Sequence, residues 1–457
     1  MQANIDDNLV SGGVVIEELI IINQNGRSQS LANFFVEINI YEDVFSSCMT
    51  GKILIRDGLG LIHRLPIVGN ERVVVKFRTP SFEDSPIHVI EKTFQVYGIS
   101  GREMESDKEA VYSLDLISIE GYVDMQTTLA KSYEGNTDQV AATIFADYIS
   151  TDRRIDVPGK KSEMIISDTP HVSRIQYTSN YWSPFKNMNF ICQGTRGNKF
   201  FGSDYMFFES NKSFMFSSME ALIDTSNTQG LLDEYVYEMV PDIYTRKSDG
   251  KNYYGVDLPK EMTRISEIST PTTLDSIAGT GVGYYANAIR GFDFTTKKII
   301  DSTFSMGANN DKFIKTGPET PIPRGLSDNP YTHTQFVSFN TSLYENYGIT
   351  NKQDLPSGHP AEYYTDRIHF RKSYLYSLNQ AKITMQIPGR TDIAVGQCIS
   401  ILYPAVGTKT TDDTADDMLD PYLSGVYLIT ALRHVIRADS HQIFAEVIRN
   451  GFETPAG

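Results

Sequence analysis

Eight histidines are the first candidates for chemistry: His63, His88, His171, His333, His359, His369, His434 and His441. None pair at a metal-binding spacing such as HxxxH, in which two imidazoles share one helix face. His434 stands two positions from both Leu432 and Ile436 in a strand-like run. There it reads as a packed or hydrogen-bonded strand residue. Catalysis by it needs a nucleophile or carboxylate beside it in space. Asp412, Asp413, Asp416, Asp417 and Asp420 form an acidic cluster. A calcium loop alternates its oxygen ligands and turns on a central glycine. Thr414 and Ala415 break that alternation and no glycine is present, so the cluster reads as a solvated loop.

Gly279-Thr280-Gly281-Val282-Gly283 could cradle a phosphate only between a strand and a helix. Here Tyr284-Tyr285 and a strand-like run follow, and no Lys-Ser/Thr ends it. It reads as an inter-strand loop. No GxSxG elbow occurs. The chain has 57 acidic residues, and nothing singles out two of them as a glycosidase pair. Trp182 precedes a helix start and reads as core packing, with an interface anchor as the alternative. No catalytic, cofactor-binding or metal-binding residue is therefore assigned. The sequence reads as non-enzymatic.

The elements that hold these residues are mostly strands. Near the end, Ile383, Met385 and Ile387 alternate with Lys382, Thr384 and Gln386, the period of a strand with one buried face. Pro388-Gly389 stops that strand. Val395–Leu402 follows, closed by Pro404. Gly425–Ile436 and Gln442–Ile448 flank Arg437-Ala438-Asp439-Ser440, which predicts a hairpin with a four-residue loop. At the other end, residues 1–13 read as a flexible arm. Strand-like runs then fill 14–120: Val14–Ile22, Phe34–Ile40, Lys52–Arg56, Arg72–Phe77, Thr93–Tyr97 and Val111–Ile119.

Between them the pattern is mixed over 121–260. Helices are predicted over Val123–Tyr133, from Thr137 through Val140, Ile144 and Tyr148, and from Ser183-Pro184 to Gly194. Asn198–Phe216 is strand-like and rich in aromatic residues. Strands return at Arg264–Ile268 and Tyr284–Phe294. Residues 305–360 are rich in Gly, Pro, Asn and Thr and read as a long loop or insertion. A helix over Ala361–Leu378 is predicted to carry Tyr364, Ile368 and Leu375 on one face. The fold class is α+β and β-dominated. The expected units are 1–13, 14–120, 121–260, 261–304 with 361–457, and the loop 305–360.

Composition narrows the function. The chain has 457 residues, a net charge of −16 and 40% apolar content, enough for packed cores. So acidic a chain has no general attraction for nucleic acid. Cys48, Cys192 and Cys398 are an odd number of thiols with no CxxC spacing, which argues against a disulfide framework or a zinc site. The start has no signal-peptide pattern. No run approaches a membrane span, and no stable membrane insertion is expected.

The order helix, strand, Pro388-Gly389, Ile393-x-x-Gly396, Ile399–Leu402, Tyr427-Leu428-Ile429 with His434 and a return strand resembles baseplate hub proteins of contractile-tailed bacteriophages. It is similar to the T-even phage hub and to the hub part of type VI secretion spike proteins. Val14–Ile119 resembles the first tube-like barrel of that family. The resemblance implies two tube-like antiparallel β-barrel domains with the mixed region inserted. It implies a homotrimer whose barrels make a pseudo-sixfold ring. Such a ring joins the hexameric tail tube protein to a trimeric central spike protein. Because the chain stops at Gly457, the spike is expected as a separate chain. Baseplate wedge and tape-measure proteins are further possible partners, and no cofactor is implied. The expected location is the virion tail baseplate, assembled in the host cytoplasm. DNA would only pass through, which calls for an acidic or uncharged lumen. The competing readings are a receptor- or carbohydrate-binding tail module, resting on the aromatic segment 198–216, and a cell-wall-degrading tail enzyme.

Overall fold

The computed structural model describes residues 11–452 except 66, 81–87, 107–108, 151–161, 170–173, 201, 229–232, 238–242, 249–250, 257, 274, 295–296, 318–319, 321, 324, 340–359 and 406–418. Seven strands fill the N-terminal part: Val15–Ile22 (β1), Ser28–Ser30 (β2), Phe35–Asp43 (β3), Thr50–Asp57 (β4), Arg72–Arg78 (β5), Val89–Ser106 (β6) and Glu109–Ser118 (β7). They lie side by side in the order β3-β4-β7-β6-β5-β1-β2, with every neighbour antiparallel. Ile38, Ile53, Ile55, Val73, Phe94 and Leu114 are among the side chains that fill the core. The alternation expected from Phe34 to Ile40 is interrupted by a bulge between Phe35 and Glu37. The extra residue leaves Val36 exposed and turns Ile38, Ile40 and Glu42 inward.

The middle region is smaller. Ser132–Asn136 (β8) pairs with Arg174–Thr178 (β10), while Met164–Ile166 (β9) lies beside Phe214–Ser218 (β12), which also pairs with Tyr205–Glu209 (β11). The helix Pro184–Gly194 starts where expected: Ser183 accepts the Lys186 N–H, and proline occupies the first turn. A second helix runs Thr137–Ile144 and continues as a π-turn to Ile149. The helix expected over Val123–Tyr133 is displaced. It runs Ile119–Gln126, capped by Ser118, and Tyr133 lies instead on β8. There its ring stacks on Tyr177 of β10 at 5.6 Å.

The remaining strands are Glu234–Tyr237 (β13), the hairpin Ile243–Ser248 (β14) and Lys251–Val256 (β15), Arg264–Ile265 (β16), Glu267–Thr273 (β17), Ala286–Asp293 (β18), Lys298–Ser305 (β19), Thr334–Phe339 (β20), Ala381–Pro388 (β21), Cys398–Leu402 (β22), Gly425–Ile436 (β23) and His441–Arg449 (β24). The stretch expected as a loop from 305 to 360 is structured in part, because β20 lies parallel to β18; residues 340–359 fall outside the described ones. The helix Pro360–Ser377 forms as expected. Its buried face is rotated, however: Phe370, Tyr374 and Leu378 are buried, while Ile368 and Leu375 flank them. The four-residue loop of the last hairpin is present, closed by Ile436 opposite His441 and by Arg437 N–H to Ser440 O at 2.8 Å.

The two β-rich ends repeat one topology. Strands β3 to β7 lie in the order β5-β6-β7-β4-β3. Strands β17, β21, β22, β23 and β24 lie in the order β22-β23-β24-β21-β17. In each, the spatial order is third, fourth, fifth, second, first, and all pairs are antiparallel. One bulge matches as well. The fourth strand slips against the fifth between Val96 and Gly98 in one unit and between Ile429 and Ala431 in the other. The flanking strands correspond too. Beside β5 lie β1 and then β2, which leads into β3; beside β22 lie β13 and then β16, which leads into β17. All of these strands belong to one 14-stranded sheet, because β3 pairs directly with β23.

Candidate functional site

The pairing of β3 with β23 is the seam between the two units. Strand β23 is long. Along one edge, Gly425–Leu428 pairs with β22 and Ala431–Ile436 pairs with β3. Under this seam lies a chain of buried polar groups. Glu42 Oε1 is 3.1 Å from His434 Nε2, and His434 Nδ1 is 3.0 Å from His441 Nε2. The carboxylate can only accept, so His434 donates from Nε2. The other contact is best made by His441 donating from Nε2 to His434 Nδ1. That leaves only a lone pair at His441 Nδ1 without a partner among the described residues. A buried orphan N–H would cost more. Burial pushes His441 well below the usual histidine range, and the adjacent His434 adds to this.

Three parts of the chain meet here. Glu42 Oε2 accepts the backbone N–H of Asn211, in the turn between β11 and β12, at 3.0 Å. Asn211 Nδ2 donates to Ile393 O at 2.7 Å, which ties the middle region to the C-terminal unit. The end of the N-terminal arm is held too, since Gly12 O accepts the His441 N–H at 2.7 Å. Gly389 packs its backbone against the His441 imidazole, and a Cβ there would overlap the ring. On the outer face, Arg433 lies over the rings of Tyr41 and Phe444, and Arg437 pairs with Glu37 at 2.9 Å. Burial works against the Glu37 charge, but hydrogen bonds from Asn39 and Arg437 outweigh it and lower its pKa.

A second buried charge group fixes the middle region to the N-terminal unit. Glu209 accepts the Met49 N–H at 2.9 Å and pairs with Lys92 at 3.0 Å. Burial opposes the Lys92 charge, but Glu209 more than offsets this and raises its pKa. Burial, then the field of Glu209, raises Glu120 nearby. Cys48 is pushed up to about 12 by burial and the surrounding carboxylates, so it is no nucleophile at neutral pH.

The other candidates separate. Gly279–Gly283 is not a loop: Ser276–Val282 is a short helix capped by Asp275, with Gly283 at φ 78 ending it. Gly279 is needed there, because a Cβ would lie 2.9 Å from the Tyr285 ring. Asp412, Asp413, Asp416 and Asp417 lie outside the described residues, as do His171, His359 and the His63 side chain; Asp420 caps a turn by accepting the Tyr422 and Leu423 N–H groups. Among the described residues, no three His, Cys, Asp or Glu side chains could share a metal, and no helix is long and apolar enough to cross a membrane. None of the three cysteines is in a disulfide. His88 uses its carbonyl to hold Thr391. His333 bridges Gly281 O and Lys372, and His369 bridges Asn287 and Ser302. Trp182 covers the outer side of its helix, against Phe190 and Lys186, rather than filling the core. The aromatic segment is core: Tyr205, Phe207, Phe208, Phe214 and Phe216 are buried, which removes them as a glycan-stacking surface.

The chain that carries this doubled strand order and buried seam is similar to a baseplate hub protein of a phage tail. It is 21% identical over 430 residues to the probable baseplate hub protein gp334 of Vibrio phage KVP40, covering 90% of this chain and 88% of that one. The resemblance read from the C-terminal stretch thus extends across most of the chain. Solved structures with a related course include a tail protein from Neisseria meningitidis, at 10% identity and TM-score 0.49 over 95% of this chain and 96% of that one. Another is a 43 kDa tail protein of a Shewanella oneidensis prophage, at 7% identity and TM-score 0.48 over 95% and 98%. A type VI secretion component from E. coli follows at 9% identity and TM-score 0.40, over 96% and 79%. No family model matches.

Proposed function

We propose that this chain is the structural hub of a phage tail baseplate, a homotrimer whose two units per chain form a pseudo-sixfold ring. Each unit acts as one tube-like barrel, with β1–β7 as the first and β13, β16, β17 and β21–β24 as the second. The observation that carries this reading is the repeated third-fourth-fifth-second-first strand order. Two similar units per chain and three chains give six similar docking positions, the number a hexameric tube needs, while the ring keeps the threefold symmetry of a central spike. The middle region and the stretch 305–360 are the parts left for wedge or tape-measure proteins. The role is mechanical and not catalytic. The hole in the ring lets DNA pass, and the net charge of −16 suits a wall that does not hold phosphate. The site of action is the virion tail, after assembly in the host cytoplasm. Imaging of the purified chain with tube and spike proteins tests this. Threefold rings that bind both partners are expected, and a chain that binds neither would defeat the reading.

A further inference from the structure

Each unit has one strand edge that receives and one that is received. Within the chain, the distal half of β23, a fourth strand, receives β3, a first strand. That leaves one edge of each kind. The fourth strand of the N-terminal unit, β6, pairs with β5 only over Val89–Gln95, yet continues to Ser106. Among the described residues no strand lies on that edge over Gly98–Glu103. The first strand of the C-terminal unit, β17, has β21 on one side and no described strand on the other. Tyr97, Ile99 and Met104 on β6 are 57%, 37% and 70% exposed, unusual for apolar side chains on a strand that has no further partner.

The shared topology also supplies the register. The matching bulge aligns Gly98–Ser100 with Ala431–Arg433, and a further bulge of β6 between Ser100 and Glu103 then aligns Glu103 with Val435 and Met104 with Ile436. In the fifth strands, Leu116 faces Val96 and Gly51, as Val447 faces Ile429 and Ile383. Gly51 therefore corresponds to Ile383. Two residues on, Ile53 and Met385 face Ile38 and Ile268, which aligns these two as well. Inside the chain, Ile436 faces Ile38 and Val435 faces Asn39.

We propose that Ile99–Met104 of β6 pairs antiparallel with Ile268–Thr273 of β17 from a second copy of this chain, with Met104 opposite Ile268 and Glu103 opposite Ser269. The contact is head to tail and repeats the internal seam, so it extends the sheet from chain to chain. It also differs from that seam in one way. The position of His434 is taken by the bulged residues Gly101, at φ 62, and Arg102, so the buried Glu-His-His chain is absent. The internal seam is fixed during folding, and the external one joins finished chains.

The proposal rests on the hub reading in needing copies to meet, and a cross-linking test separates the two. Glu103→Cys and Ser269→Cys are placed together in the full chain; both positions are exposed. A control carries Glu103→Cys with Asn25→Cys, in the exposed β1–β2 turn. Cross-strand cysteines lie within disulfide reach or that of a short thiol cross-linker. Oxidation should convert most of the E103C/S269C monomer to a covalent trimer on a denaturing gel, with the control and wild type left as monomer. A native trimer without this cross-link overturns the proposal and leaves the hub ring standing. A chain that remains monomeric at high concentration overturns both. Covalent dimers as the end point support the pairing and defeat the threefold ring.

Discussion

His434 of β23 donates to Glu42 of β3 across 3.1 Å, although 392 residues separate them in sequence. Both side chains are fully buried. The contact couples the first strand of one unit to the fourth strand of the other, under the one strand pairing that makes two units a single sheet. Removing one member of such a pair strands the other in a dry site. Glu42→Ala is expected to cost about 3 kcal/mol of stability, measured by chemical unfolding. His434→Ala should cost a similar amount, and the double variant much less than the sum. Additive losses would mean the pair does not act as a unit.

Gly389 leaves room for the His441 ring. Gly389→Ala is expected to lower stability by about 1–3 kcal/mol through overpacking. In a His441→Gly background the same change should cost much less, because both the ring and the Cβ that the added methyl would meet are gone. Thermal unfolding of the four proteins in that cycle checks this.

The buried histidines set a pH dependence. His441 is held well below its ordinary range by burial, with His434 adding to it, and His369 is lowered to about 4 by burial, with Lys372 adding to it. Below about pH 6.5 the unfolded chain takes up these protons and the folded chain does not. Stability is therefore complete above that pH and falls as the pH drops. Asp204, raised to about 6 by burial, acts in the opposite sense, because its folded form gains a proton first. A difference measurement isolates one group. The stability advantage of wild type over His441→Gln should shrink by about 1.4 kcal/mol per pH unit below about pH 6.5. An advantage that stays constant from pH 7.5 to 5 would contradict the buried neutral state.

Glu209 holds the middle region to the N-terminal unit through Lys92 and the Met49 N–H. Glu209→Ala leaves the Lys92 ammonium without its partner and should cost about 3 kcal/mol. Lys92→Met together with Glu209→Gln should recover much of that loss. Limited proteolysis of the middle region gives an independent reading of its detachment.

Much of this was legible locally. The four-residue loop 437–440 fixes the last hairpin's register, and that register already puts His434 and His441 on one face, two positions apart. The spacing of their residue numbers hides the pair, because the pattern sought for metals is helical. Glu42 was not legible, since its inward direction depends on the bulge at Val36 and its partner on a strand from the far end. Long-range pairing also decided the misplaced elements. Ser132–Asn136 is a strand because β10 lies beside it, and Thr334–Phe339 is a strand because β18 does. Local propensity carries neither fact. The repeat itself was suggested by element order and invisible as sequence identity. What the units share is topology and one bulge position, which many side-chain sets satisfy.

The central claim is that the doubled unit builds a threefold hub. Native mass measurement of the purified full chain, with class averages of the same sample, tests it most directly. The account predicts a trimer with six lobes around an open centre. A monomer at high concentration, or a ring of another symmetry, would contradict it.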